Sequence, residues 1–324
     1  MDLQLLDFYQ ISHATDYRKF QGKCIAITGA TGFIGGCLTR YFMFLNDKYN
    51  MGIFLYLSVR NVEKALKIFG NREDIFFIYK HSFDFPADYI FHCASNATPI
   101  KNETDISGVI DTNITMTKRL LEVATDKCAK MMFLSAGEIY GPNNVAKLYE
   151  DNYYGIDPTI SRNNYGLSKL MGENLCYNYY KKKGTRAYVA RLFHTYGIGI
   201  SLDDPRIFGT IVRHMVNEQP IRLKSIGAIR AFCYISDALI GLFTILDKGI
   251  MGEPYNVGGA AMSIEELTKT VAAYYNVEVT TNADVVDGSC YVPNCFKLKQ
   301  LGWTPEVDII DGFKHTIDHY KEHK

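Results

Sequence analysis

Lys23-Cys24-Ile25-Ala26-Ile27-Thr28-Gly29-Ala30-Thr31-Gly32-Phe33-Ile34-Gly35-Gly36 is the stretch on which the fold turns. Cys24 to Thr28 is a short apolar run of the kind that makes a buried central strand; it stops at Gly29, and Gly32 and Gly35 follow before a helical pattern begins. The pattern reads strand, tight turn, helix. The glycines serve a turn without a Cβ clash, close approach of main chain to a pyrophosphate, and close packing of helix on strand. The start of the helix then offers free N–H groups and a partial positive charge to an anion.

Composition sets the limits. A chain of 324 residues suits two lobes, or one large domain with an insertion, and can bury a sizeable core. With 35 basic and 35 acidic residues the formal charge is zero, so no global field favours nucleic acid or an anionic membrane. Any anionic ligand must be held by local groups. The cysteines at 24, 37, 93, 128, 176, 233, 290 and 295 show no paired metal-ligand spacing and often lie inside apolar runs, which reads as buried reduced thiols, a cytoplasmic location and no metal site. The N-terminus carries Asp2 and Asp7 and lacks a basic start followed by an apolar core, so it does not look like a signal peptide. No stretch is long and apolar enough to span a bilayer.

Thr28 to Gly35 resembles the fingerprint of the extended short-chain dehydrogenase/reductase family, the NAD-dependent epimerase/dehydratase group that modifies nucleotide sugars, whose glycines are spaced three apart. The resemblance runs from Lys23 to nearly the last residue. It implies an α/β fold, a Rossmann-type doubly wound parallel sheet with a smaller C-terminal substrate-binding lobe. Residues 1–22 are then an N-terminal extension, 23–193 the dinucleotide-binding domain with 232–258 returning to it, and 194–231 and 259–324 the substrate lobe. Gly29, Thr31, Gly32, Phe33, Ile34 and Gly35 would hold the cofactor diphosphate.

Cofactor choice is decided at the end of the second strand, read as Ile53 to Val59, where a carboxylate would bond the ribose hydroxyls of NAD. None is present. Val59 fills that slot, and Arg60 resembles the arginine of NADP-dependent reductases, so NADP is favoured with NAD possible; a solvated surface arginine is the plain alternative. The resemblance gives Asp84, in Ser82-Phe83-Asp84, to the adenine amino group. It lets the cofactor lie against Ala94 at the end of a strand over Ala87 to Cys93, within which His92 reads as structural. Ile106 to Ala124 reads as a helix with Asn113 in its middle, a poor interior residue whose position matches the family asparagine that holds the active-site helix and a water.

Tyr165 and Lys169 are four apart, hence on one face of a helix running to about Lys182. A phenol near its ordinary pKa of about 10 is a poor acid or base at neutral pH, and a nearby ammonium favours its phenolate. The pair matches the family's Tyr-x-x-x-Lys motif, which makes Tyr165 the general acid or base and Lys169 its modulator and ribose contact. Two departures stand out. The substrate-polarising hydroxyl residue of the family falls on Ala136, so Ser135, one residue earlier, either takes over or leaves the task to another group such as water. The Asp-Glu pair of sugar 4,6-dehydratases is Gly137-Glu138 here, which disfavours net loss of water and leaves Glu138 as a candidate active-site carboxylate or a plain loop residue.

For the substrate, the resemblance assigns Asn96, His194 in place of the usual asparagine, Arg206, Arg222 and above all Arg230 to a nucleotide-linked sugar, a guanidinium being suited to two diphosphate oxygens at once. Tyr255-Asn256-Val257-Gly258 reads as a late strand of the sheet and Ser263 to Glu266 as a capping box. A homodimer through the helices near 106–125 and 165–182 is the family analogy. The leading expectation is an NADP(H)-dependent oxidoreductase reducing a nucleotide-linked keto sugar, a 4-keto-6-deoxyhexose such as a dTDP-sugar in surface-polysaccharide synthesis. The alternative is a nucleotide-sugar epimerase, decarboxylase or dehydratase that holds and recycles NAD. A third reading is a nucleotide-binding protein that has lost its chemistry.

Overall fold

Cys24–Thr28 (β1) is apolar throughout because it runs through the middle of a sheet covered on both faces; its last four residues are buried. The computed structural model describes residues 3–79, 83–95, 104–141, 145–282 and 284–324. Beside β1 lie Phe54–Val59 (β2), Ile75–Tyr79 (β3), Tyr89–His92 (β4), Lys130–Ala136 (β5), Arg186–Leu192 (β6) and a last strand, Pro254–Val257. The seven are all parallel, in the order β3, β2, β1, β4, β5, β6 and Pro254–Val257. The chain thus winds outward from β1 in one direction and from β4 in the other, leaving a crevice between their carboxyl ends. The doubly wound sheet of the sequence reading is the observed one, including the late strand beside β6.

Leu3–Ala14 (α1) lies against the fold: its buried Phe8 packs on Tyr41 and Phe44 of Phe33–Tyr49 (α2), and Asp7 accepts a hydrogen bond from the Tyr234 hydroxyl at 3.1 Å. Val62–Phe69 (α3) starts where Asn61 caps the Lys64 N–H and stops at Gly70, whose φ is +76°.

The helix expected over Ile106 to Ala124 is present but irregular. Ile106–Ile110 passes through a π turn, Asp111–Thr115, into Met116–Asp126. The wider turn lets the Asn113 amide leave the helix ladder for tertiary partners, an option that periodicity does not encode.

After β6 the chain builds small sheets, Ile221–Leu223 with Val279–Thr281, and Ile229–Ala231 between Ala261–Ser263 and Cys290–Tyr291. Ser263 accepts from the Glu266 N–H at 3.1 Å, as its capping sequence predicts. Buried Trp303 ties the C-terminal turn to the Ile235–Lys248 helix by donating to the Asp237 carbonyl at 2.9 Å. Among the described residues no helix is long and apolar enough to cross a membrane, and no group of His, Cys, Asp and Glu is placed to hold a metal ion.

His92 joins the two central strands. Its Nε2 faces the Thr112 carbonyl at 3.2 Å, which needs a proton there, so Nδ1 accepts from the Thr28 hydroxyl at 2.7 Å. Complete burial, then the charge of Lys169, lowers its pKa to about 3. The unfolded chain takes up a proton near pH 6.5 that the folded chain refuses until far lower, so stability falls as pH falls. Between pH 7 and pH 5 His92 costs about 2 kcal/mol, which urea unfolding should show for the wild type and not for His92→Gln.

Candidate active site

Gly29 takes φ +67°, and a Cβ placed there would stand 2.7 Å from the Ala94 nitrogen; one on Gly35 would stand 2.4 Å from the Gly29 carbonyl oxygen. Both positions require glycine. The Ala94 N–H donates to the Thr28 hydroxyl at 3.1 Å, which draws the ends of β1 and β4 together. α2 begins at Gly32 with no side-chain cap, and Gly32 is exposed, so no side chain of its own covers the helix start. A cradle in which any Cβ would collide, closed by an uncapped helix N-terminus, fits the pyrophosphate of a nicotinamide dinucleotide. Thr31, Phe33 and Ile34 line this turn, half-buried.

Arg60 is exposed just beyond the end of β2, beside buried Val59. Asp84 is a correction: it shares a hollow with Cys24, Asp88 and Lys127, at the amino end of the sheet, whereas the cradle is at the carboxyl end. From residue 83 the chain is already running back to start β4 parallel to β1. Asn96 lies outside the described residues.

Asn113 is buried in the π turn and cross-links three elements: it accepts from the Ser95 hydroxyl at 2.9 Å and donates to the Ser168 hydroxyl at 2.9 Å, which donates to the Tyr165 carbonyl at 2.7 Å. The helix Asn164–Lys183 thereby has its first turn fixed against the end of β4. Lys169 is buried, its ammonium donating to the Leu134 carbonyl at 2.7 Å and lying 4.9 Å from the Phe133 ring centroid. Burial lowers its pKa to about 8.

The Tyr165 hydroxyl is pushed up, by burial first and then by the charge of Glu138, while Ser95 and Arg206 act in the opposite direction. Arg206 is the weakest of these influences. Lys169 stands 5.8 Å from the Tyr165 ring centroid and is turned to the Leu134 carbonyl.

Ser135 is a second correction. Its hydroxyl is buried and donates to Glu173 at 2.5 Å, so it is not directed at a substrate. Glu173 also receives Arg191 at 2.7 Å, and fully buried Arg191 donates to the Tyr140 hydroxyl at 2.7 Å. Ser135 and Ala136 are neighbours on a strand and face opposite ways, so a one-residue shift of the hydroxyl moves it to the other side of β5. Glu138, by contrast, is exposed on the turn Gly137–Tyr140. Protein nonetheless surrounds its carboxyl closely enough to push it above the usual carboxylate range, with Arg206, Lys169 and Arg162 drawing it back.

On the substrate side, Arg206 is held by Asp204 at 2.6 Å, with its guanidinium 4.6 Å from the Phe208 ring centroid. His194 takes φ +24°, and burial followed by the charges of Arg230 and Arg206 lowers its pKa to about 3, so its imidazole stays neutral. Its Nδ1 is buried without a hydrogen-bond partner, as is Nδ2 of Asn164 next to Tyr165. Such orphaned polar atoms suit a polar ligand. Arg230 donates to the Ser289 carbonyl at 2.9 Å and its hydroxyl at 2.7 Å and lies 5.1 Å from the Tyr291 ring centroid. Arg222 does not join this group; it is exposed on the Ile221–Leu223 strand.

Arg162, Ser95 and Tyr291 belong to the site and were not singled out from sequence. Arg162 acts on Glu138, Arg230 and Tyr291. Its place three residues before Tyr165 was a usable signal, whereas Tyr291 arrives from a distant strand with no local mark.

A family model described as the NAD dependent epimerase/dehydratase family matches residues 25–258. The chain is 28% identical over 298 residues to UDP-glucuronic acid decarboxylase 3 of Arabidopsis thaliana, covering 89% of this chain and 86% of that protein. Its fold matches UDP-glucuronic acid 4-epimerase from Bacillus cereus, solved with UDP-glucuronic acid and NAD, at TM-score 0.76 and 24% identity over 93% of this chain and all (100%) of that one. An epimerase from Methanothermobacter thermautotrophicus matches at TM-score 0.81 and 19% identity, over 98% of this chain and 96% of that chain. The glycine cradle, the Tyr165 and Lys169 pair and the family match across most of the chain agree: this protein belongs to the NAD dependent epimerase/dehydratase family.

Proposed function

We propose that the protein holds NAD and transiently oxidises a nucleotide-linked hexuronic acid, releasing the acid group as carbon dioxide. The observation that carries this reading is that Tyr165 and Lys169 lie buried on one helix whose start rests on the Glu138 turn, while the neighbouring dehydratase position is Gly137. A Cβ at Gly137 would meet the Phe193 ring at 2.6 Å, so no carboxylate fits there. Relatives that decarboxylate UDP-glucuronic acid support this choice of substrate and favour a recycled cofactor over net reduction.

The nicotinamide, when bound, accepts and returns a hydride, and its positive charge in the oxidised form draws the phenol toward phenolate. Tyr165 takes the proton of the hydroxyl that becomes the carbonyl, with Arg206 stabilising the phenolate. The carbonyl must form β to the carboxylate, because carbon dioxide then leaves with the bonding electron pair taken up as an enolate. Glu138, whose raised pKa keeps it able to carry a proton, protonates the enolate carbon. Tyr165 returns its proton to the oxygen when the carbonyl is reduced again. Arg206 holds the acid group beforehand, and Arg230, Arg162 and neutral His194 receive the diphosphate. The exchange consumes one proton and no net cofactor.

A second reading, net reduction of a keto sugar with NADPH, rests on exposed Arg60 and on a Tyr165 held protonated and ready to donate. The two separate in one experiment. Purified protein given UDP-glucuronic acid and catalytic NAD should release carbon dioxide and a nucleotide-linked pentose; stoichiometric NADPH oxidation with 4-keto sugars, and no carbon dioxide, would favour the reductase. Tyr165→Phe should lower kcat by roughly 10²- to 10⁴-fold while leaving NAD content unchanged. Arg206→Gln should raise KM for the acidic sugar about tenfold or more and spare binding of UDP alone, measured by calorimetry.

A further inference from the structure

Glu138 sits on a turn that is tied at both ends. At the near end the Ser135 hydroxyl donates to Glu173 at 2.5 Å. At the far end the Tyr140 hydroxyl receives Arg191 at 2.7 Å and donates to Asn256 at 2.8 Å, and the Gly141 carbonyl accepts from the Tyr291 hydroxyl at 2.9 Å. Glu173 and Arg191 join the two ends, since one carboxylate accepts from both Ser135 and Arg191. Glu173 also belongs to the helix that carries Tyr165 and Lys169. On that helix a Cβ at Gly166 would stand 2.6 Å from the Glu138 carbonyl oxygen, so the backbone of the turn rests directly on the helix start.

We infer that the buried Glu173–Arg191 pair, acting through Ser135 and Tyr140, is a positioning device that sets the Glu138 carboxylate against the Tyr165 phenol. The inference rests on the proton-transfer role proposed for Glu138. A buried ion pair contributes little net stability, because desolvation offsets its attraction, but a bidentate guanidinium imposes direction. Here the direction is shared by β5, β6 and the Tyr165 helix, the three elements that must agree for the two groups to face each other. Ser135 and Tyr140 are positioning residues: neither hydroxyl is free to meet a substrate.

The test uses Ser135→Ala, Ser135→Thr and Tyr140→Phe in the full chain loaded with NAD, with Glu138→Gln as the reference. Two readouts are taken: kcat and KM with UDP-glucuronic acid, and the infrared pH titration of the carboxyl band that Glu138→Gln removes. Ser135→Ala and Tyr140→Phe should lower kcat roughly 10- to 100-fold at unchanged KM and NAD affinity and move the Glu138 titration toward the ordinary carboxylate range. Ser135→Thr, which keeps the hydroxyl, should restore both. An unmoved Glu138 titration in both variants overturns the inference, and so does a loss of activity that only tracks lost thermal stability. If the wild type turns over no acidic sugar, the proposed reaction fails while the infrared titration still decides the positioning.

Discussion

The absence of one carbon atom governs the site. At Gly29 the end of β1 passes so close to the end of β4 that a Cβ would overlap the Ala94 backbone. Because the two strand ends meet, the Thr28 hydroxyl can accept from Ala94 and donate to His92, and Ser95 can reach Asn113. Asn113 in turn fixes the first turn of the helix that bears Tyr165. The glycine cradle and the start of the Tyr165 helix are thus tied by hydrogen bonds from the adjacent residues Ala94 and Ser95, and a wider gap at Gly29 would loosen both.

What could be read from sequence was local. The glycine spacing and the four-residue interval from Tyr165 to Lys169 specify a turn and a helix face by themselves, and the structure has both. The fate of Ser135 depends on Glu173, 38 residues away, and on which face of β5 it occupies, so it was out of reach of motif matching. Asp84 failed for a related reason: the interval between β3 and β4 gives no sign of where the chain turns back. Arg206, which draws the phenol toward phenolate, comes from a distant part of the chain and carries no local mark.

Electrostatics in the crevice run against the neutral balance of the whole chain. Arg162, Arg206, Arg230 and Lys169 act on one small region, and the groups among them that could add a further charge are restrained: His194 stays neutral and Glu138 is pushed toward its protonated form. Burial raises the proton affinity of both Tyr165 and Glu138 above that of exposed groups of the same types.

The π turn at Asp111–Thr115 has an effect on how the surrounding sequence is used. An α-helix advances about 100° per residue, so an inserted residue rotates everything beyond it by about that angle. Before the insertion Val109 is buried, with Ile106 and Ile110 exposed on either side of it; after it Leu120 and Leu121 are buried against the sheet. Twelve plain α-helical steps would turn Leu121 roughly 120° away from Val109, and the extra residue takes most of that turn back, so both fall on one buried face. Removing the extra residue would swing the far half of the segment away from the sheet, like a screw thread cut again from a different starting point.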